Sequence, residues 1–374
     1  MTPPLYSIIN ERYIQILISG MVAFLVGIES IPVIINISRL KNLMDIPGER
    51  SSHSNKTPTL GGVAIFASVL IGYFIWENPD GGLLVHLSIV GVVILFFLGV
   101  KDDILILSPV KKMIFQIVAS SLVIIGADLR IDNFFGIFGV YEIPLLFSFI
   151  ITVFIFIALI NAMNLIDGID GLGGAIGLIA STTFGIWFYL NRQPALACLA
   201  ISLSGALLGF LRFNFSKTSK IFMGDTGSLI SGFLLTVFAV RFVQLNVSTR
   251  FDTKAYFNAP ILAIIVLIIP IFDTLRVFLS RISNRKSPFV GDRNHLHHIL
   301  IDLGLSHFVA TCILSSFTIL STVTFLILDD FLTSTQSMIL LVLLFVIYIS
   351  VCQYLKKKII LINKLENQSK KSFI

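Results

Sequence analysis

The sequence predicts an all-α polytopic membrane protein of about eleven transmembrane helices, with its amino end outside and its carboxyl end in the cytoplasm. Three observations carry this expectation. Of the 374 residues, 56% are hydrophobic and only 13% charged, about half the charged share with which a water-facing domain covers its surface. Apolar runs close to the roughly 20 residues that span a bilayer recur along the whole chain. Lysine and arginine gather in alternate connections between those runs. Secreted and nucleic-acid-binding classes fit this composition poorly, so a lipid bilayer is an expected partner and nucleic acid is not.

In chain order, the apolar runs place helices at 13–38, 60–77, 83–100, 111–127, 145–163, 171–190, 194–212, 227–243, 256–280, 308–328 and 334–355. The first has too long an apolar core for a cleaved leader, and no small-residue cleavage site follows it. Between the fourth and fifth runs, residues 128–143 alternate polar and apolar around Gly136 and Gly139, which predicts a small external β-hairpin. Pro270 inside the ninth run predicts a kink that redirects Asp273-Thr274-Leu275-Arg276. An odd number of spans puts the two ends on opposite faces. The connections at 39–59, 101–112, 212–220 and 276–293, with the tail from Lys356, hold 21 lysines and arginines against 6 on the other side, which assigns them to the cytoplasm. Lys356-Lys357-Lys358 reads as a stop at the anionic inner leaflet, opening a basic tail over 356–374. The chain is expected to form one domain over 1–374. Cys198, Cys312 and Cys352 lack CxxC spacing, which argues against a disulfide framework or a zinc site. No internal repeat is evident, and a homodimer stays open because no small-residue face compels one.

Chemistry-bearing residues concentrate in the inner connections, at 39–59, 101–112, 161–171, 212–228 and 276–307. The first connection runs from Asp45-Ile46-Pro47-Gly48 through Arg50, His53 and Lys56 to the pair Gly61-Gly62, a cationic loop re-entering the membrane. The second offers Lys101-Asp102-Asp103. Carboxylates at membrane depth cost about 2.5–3.5 kcal/mol each, so acids at helix ends need a compensating cation. Asp102 and Asp103, being adjacent, point about a hundred degrees apart on a helix, and a solvated pair beside Lys101 is the competing reading. In the third connection Asn161, Asn164 and Asp167 follow i, i+3, i+6 spacing, and Asp170 extends the stripe if helix persists through Gly168. A lone asparagine there would be a helix-packing hydrogen bonder, whereas four hard oxygen ligands on one stripe point to a cation. In the fourth, Asp225 lies among Gly224, Thr226, Gly227 and Ser228 ahead of an apolar helix. It suits Mg²⁺ shared with phosphate oxygens, with a plain helix cap as the competitor. The fifth holds Arg293, His295, His297 and His298. Zinc fits poorly beside Arg293 and without a further ligand, while hydrogen-bond donors of this kind suit a pyrophosphate. His86 and His307 read as span-end residues. A polar, metal-binding, anion-accepting site at one face of a helical bundle fits phosphoryl transfer best.

Taken in order, these five motifs resemble the polyprenyl-phosphate N-acetylhexosamine-1-phosphate transferase family over residues 45–298. The resemblance is most specific at Asn161–Gly171, Phe222–Ser228 and Arg293–His298, whose His-x-His-His pattern marks the branch acting on UDP-N-acetylhexosamines. It implies eleven helices in a bacterial cytoplasmic membrane, with the active site on the cytoplasmic face. It also implies transfer of N-acetylhexosamine-1-phosphate, with N-acetylglucosamine foremost, from the UDP-sugar to undecaprenyl phosphate. UMP is then released with Mg²⁺ or Mn²⁺ as cofactor. By the same resemblance Asp225 matches the metal-ligand aspartate and Asn164 its partner, and Asp102 and Asp103 match an acidic pair engaging the lipid phosphate or metal. Asp167 and Asp170 match acids needed for nucleotide or metal binding. Lys56, Asn161, Arg293, His295, His297 and His298 fall to substrate binding. The glycan served, whether O-antigen, capsule, teichoic acid or exopolysaccharide, stays open. A secondary transporter for an anion or divalent metal is the alternative from another class, because intramembrane acids and broken helices also mark ion pathways.

Overall fold

The computed structural model describes residues 11–45, 56–76, 82–105, 107–248, 256–285 and 294–372. Arg293 lies outside the described residues, as do Arg50 and His53. The chain is an integral membrane protein built of helices α1 (Arg12–Leu40), α2 (Gly61–Phe74), α3 (Gly82–Leu105), α4 (Pro109–Gly126), α5 (Leu145–Ile166), α6 (Leu172–Leu190) and α7 (Pro194–Asn214). These are followed by α8 (Gly224–Ser248), α9 (Ala259–Val266), α10 (Ile268–Ser283), α11 (Leu296–Asp302), α12 (His307–Leu328) and α13 (Ser334–Ser372). Among the described residues nine helices are long and apolar enough to cross a membrane, and ten if the bent pair α9–α10 counts as one span. The predicted second span corresponds to α2, whose 14 residues reach only about 21 Å against a hydrocarbon core of about 30 Å.

Several boundaries move outward from the apolar runs. Helix α3 continues to Leu105 and takes Asp102 and Asp103 into its last turn. The last helix continues through Lys356–Lys358 to Ser372, so the basic tail extends the final span as helix. The predicted kink is present: α9 and α10 meet at 83°. The break falls at Leu267, three residues before Pro270, because the proline ring crowds the carbonyl four residues back and cannot donate to it.

Two short antiparallel pairs complete the fold, β1 (Met44–Asp45) with β2 (Thr57–Pro58), and β3 (Asn133–Ile137) with β4 (Val140–Glu142). The second pair is the predicted hairpin, closed at Ile137↔Val140 by Phe138 and Gly139 with φ of 50° and 81°. Two positive φ values in a two-residue loop match the twist of the flanking strands.

The bundle is organised around α8, 89% of whose spanning window is buried, while that of α13 is 17% buried and faces outward. Helices α2, α3, α5 and α6 pack on α8, and α1 covers α2 and α7. The core is aromatic, with Phe156 against Phe233 at 5.6 Å between ring centroids.

Candidate active site

The amino end of α8 is wedged between α2 and α3. The Gly61 and Gly62 amides donate to the carbonyls of Phe222 and Met223 at 2.9 and 2.8 Å, and the Phe222 amide donates to Pro58 O at 2.8 Å. A Cβ at Gly62 would strike the Gly227 backbone, and one at Gly99 would strike that of Thr226. Absent side chains therefore set how closely three helices approach. Into this junction α3 sends Asp103, which accepts hydrogen bonds from the Asp225 amide (2.7 Å), the Thr226 amide (3.1 Å) and Thr226 Oγ1 (2.6 Å). The first turn of α8 thus has its free donors capped by a carboxylate from another helix. Asp103 positions Asp225.

Asp225 itself points to polar partners. Its Oδ1 accepts from Asn164 Nδ2 at 2.9 Å, and the same amide donates to Ser228 Oγ at 3.0 Å. Its Oδ2 lies 2.5 Å from Lys112 Nζ. Lys112 also pairs with Asp102 Oδ2, while Asp102 Oδ1 accepts from the Leu107 amide at 2.6 Å. One ammonium is thereby held between two carboxylates from separate helices. Asn161 lies one turn back along α5 and exchanges amide hydrogen bonds with Gln116 at 2.8 and 3.4 Å. It braces α4 against α5, which is the helix-packing alternative.

The four-member polar stripe does not persist as helix, since α5 ends at Ile166. Asp167 and Asp170 instead sit in the turn before α6, fixed where the Gly171 amide donates to Asn214 Oδ1 at 2.5 Å and Asn214 Nδ2 donates to Ile221 O at 2.7 Å. Removal from solvent raises the Asp167 pKa well above the usual carboxylate range, reinforced by the charges of Asp225, Asp170 and Asp103. Asp170 is burdened by burial too, yet hydrogen bonds and charge from His307 and Lys220 bring it below the usual value. Lys220 Nζ lies 2.7 Å and His307 Nδ1 2.9 Å from its Oδ2. One acid of this pair is therefore already neutralised by bases. The other holds its proton more readily, and a cation binding there would have to displace that proton.

The histidine segment is anchored on the broken span. Asp273 of α10 accepts from His295 Nδ1 (2.8 Å), the Leu296 amide (2.9 Å), Arg276 Nη2 (2.7 Å) and the Tyr348 hydroxyl (3.3 Å). Arg276 also donates to Asn294 O at 2.5 Å, and Lys356 Nζ to Asn294 Oδ1 at 2.6 Å. This anchor lays His297 over the Asp167 turn. A Cβ on Gly168 would lie 2.5 Å from His297 Nε2, a buried atom with no hydrogen-bond partner among the described residues. Burial, then His298, lowers the His297 pKa to about 3, with His295 and Arg276 adding to the fall against the pull of Asp273. His297 is neutral near neutral pH, so it offers a hydrogen bond to a diphosphate but no charge. The His298 ring lies beside it at 4.2 Å between ring centroids, tilted by 51°. Lys56 stands exposed before β2.

The structure thus joins Asp102 to Asp225 through Lys112, bonds Asn164 directly to Asp225, and sets the Asp167 turn against His297. Lys112, Lys220, His307, Asp273 and Arg276 are the site residues that sequence reasoning passed over. Lys112 and Arg276 counted there as topology determinants and His307 as a span end. Among the described residues no three His, Cys, Asp or Glu side chains converge on one ion-sized point. Mg²⁺ needs fewer, because it keeps waters and shares phosphate oxygens. Asp102 and Asp225 already bracket one cation, with Asn164 beside them, and these hard oxygens fit such an ion.

The family model described as "Glycosyl transferase family 4" matches residues 85–243, which include both the α3 acids and the start of α8. A Bacillus subtilis (strain 168) protein named "Probable undecaprenyl-phosphate N-acetylglucosaminyl 1-phosphate transferase" is 28% identical over 300 residues, covering 80% of this chain and 81% of that protein. The Salmonella typhi "Undecaprenyl-phosphate alpha-N-acetylglucosaminyl 1-phosphate transferase" is 27% identical, covering 71% of this chain and 70% of that one. Its Escherichia coli (strain K12) namesake is 26% identical over 72% of each chain.

Proposed function

Since the chain belongs to the polyprenyl-phosphate N-acetylhexosamine-1-phosphate transferase family, we propose that it moves an N-acetylhexosamine-1-phosphate from its UDP-sugar to undecaprenyl phosphate. N-acetylglucosamine is the first candidate, and the product would start a lipid-linked surface glycan on the cytoplasmic face of the bacterial inner membrane. The names of the relatives support the acceptor and the transferred group. The observation that carries the reading is the Lys112 ammonium held between Asp102 and Asp225 at the amino end of α8.

The chemistry asks for two anions to meet. An oxygen of the lipid phosphate attacks the phosphorus that bears the sugar. The bond from that phosphorus to the bridging oxygen breaks, and UMP departs with the electron pair. Asp225 and Asp102, with Asn164 and Asp167 beside them, would hold Mg²⁺ or Mn²⁺, which supplies charge that neutralises both phosphates. Lys112 would pair with a phosphate oxygen once a ligand competes for its carboxylates. His297 lies against Gly168 of the Asp167 turn with His298 beside it, and their ring nitrogens would donate to the diphosphate. Asp273 and Arg276 hold that segment in place.

The test is UMP release by the purified chain from a panel of UDP-sugars, with and without undecaprenyl phosphate and divalent cation. Release is expected only with all three, and Asp225→Asn should lower it by about a hundredfold or more. Ion or anion uptake into vesicles without UMP release would replace this reading with the transporter.

A further inference from the structure

The end of the bundle opposite Asp225 carries a second polar feature. A cavity of about 660 Å³ opens where α3 and α7 begin and α4 ends, its wall including Leu83, Ile125, Asp128, Arg192, Gln193 and Arg241. Arg241 lies sixteen residues beyond Asp225 on α8, about 24 Å along the axis, so this cavity is separate from the site above. A guanidinium stays charged at any physiological pH, and one set in a membrane helix requires a counter-ion. Among the described residues neither Arg241 nor Arg192 has a carboxylate partner. The single acid on the wall, Asp128, is paired with Arg130 at 2.6 Å.

The arrangement is braced. Arg241 Nη1 donates to Gln244 Oε1 at 2.8 Å, and Gln244 Nε2 donates to Asp128 O at 2.7 Å. These bonds leave Arg241 Nε buried and, among the described residues, without a hydrogen-bond partner. Arg192 is exposed and held in the left-handed region at φ 57°, a conformation an arginine seldom adopts. The start of α7 adds an uncapped helix end, since Gln193 makes no side-chain cap. Leu83 and Ile125 on the wall are 58% and 72% exposed, an apolar approach suited to acyl chains beside the guanidiniums.

We propose that this cavity binds a phosphate group between Arg192 and Arg241, carried by an anionic lipid headgroup or by free inorganic phosphate. The full-length protein, purified in neutral detergent, would be examined by native mass spectrometry with phosphatidylglycerol and with phosphatidylethanolamine of the same acyl chains. In parallel, its thermal unfolding would be followed in inorganic phosphate and in chloride at equal ionic strength. Arg192→Asn is the main variant, because that side chain has no partner to lose among the described residues and asparagine accepts the left-handed conformation. Arg241→Gln is the second. Retained phosphatidylglycerol should fall about tenfold in Arg192→Asn with phosphatidylethanolamine unchanged, which identifies a lipid. Stabilisation by inorganic phosphate that Arg192→Asn abolishes, without lipid preference, identifies free phosphate. Equal lipid retention and equal phosphate response in wild type and Arg192→Asn overturns the proposal. So does a wild type blind to both probes that becomes phosphate-responsive only after Glu77→Gln and Asp80→Asn, the acids just before α3 in sequence.

Discussion

Asp102 is held at both oxygens, by the Leu107 amide and by Lys112, an arrangement that orients a carboxylate and does not free it to attack. A phosphate monoester has a second pKa of about 6 and is mostly dianionic above it, so the lipid phosphate is already a nucleophile. Asp102→Asn, which can still accept from Leu107, should therefore retain measurable turnover at alkaline pH. Complete loss at every pH, together with a phosphoenzyme trapped in wild type, would show a covalent path instead. His297 makes a second prediction. Its folded value of about 3 lies below the ordinary 6.5, so between those limits the unfolded chain binds a proton that the folded one refuses. This contribution to stability is intact above about pH 6.5 and is lost as pH falls toward 3. Asp167, raised in the fold, acts in the opposite sense over part of the same range. The difference between wild type and His297→Gln is therefore the reading. On going from neutral to mildly acid solution, the unfolding temperature should fall further in wild type than in the variant. The acids themselves were legible in sequence because carboxylates at membrane depth are costly. Their basic partners were not: Lys112 meets Asp225 across 113 residues and His307 meets Asp170 across 137. A lysine in an inner loop looks alike whether it meets lipid headgroups or a carboxylate.

At the scale of elements, apolar run length located nearly every helix, yet it misjudged ends where polar residues stay helical. Helix α3 keeps Asp102 and Asp103 in its last turn because Asp103 finds three donors at the start of α8 and Asp102 finds Lys112, so helix geometry survives the polar residues. The stripe from Asn161 to Asp170 failed for the converse reason. At Gly171, φ 81° turns the chain, and the Gly171 amide is taken by Asn214. The wedge of α2, α3 and α8 offers the sharpest test. In Gly99→Ala the added methyl meets the Thr226 backbone, which cannot rotate away. The variant should lose about 1–3 kcal/mol of stability and should displace Asp225. Turnover would then fall more than protein yield does, measured together by UMP release and thermal unfolding. An unchanged melting curve with full activity would mean that the helices slide apart freely.

At the scale of the whole molecule, the five connections marked by their acids, amides and histidines were legible as a list. Their meeting was not, because α8 and the broken α9–α10 span bring together segments that no local spacing relates. Pro270 announced the break, but only the 83° turn shows α10 presenting Asp273 to the histidine segment. The same geometry makes a prediction about sidedness. Thr218 is exposed near the site end, and Tyr141 is exposed on the hairpin. Single cysteines replacing each, in a background lacking Cys198, Cys312 and Cys352, should react with a membrane-impermeant maleimide from opposite sides of sealed vesicles. Reaction of both from one side would refute the single-face arrangement.

Because the most enclosed helix of the bundle is also the one whose first turn carries Asp225, the candidate centre sits on the part of the protein least free to travel. Such a centre is a fixed anvil, and any approach and retreat falls to the reactants. In the proposed reaction one would slide in from the oily phase with its long tail, and the other would drop in from water. On the proposed reaction, the expected slow event in a cycle built this way is a greasy product leaving, at a pace set as much by the surrounding lipid as by the polypeptide.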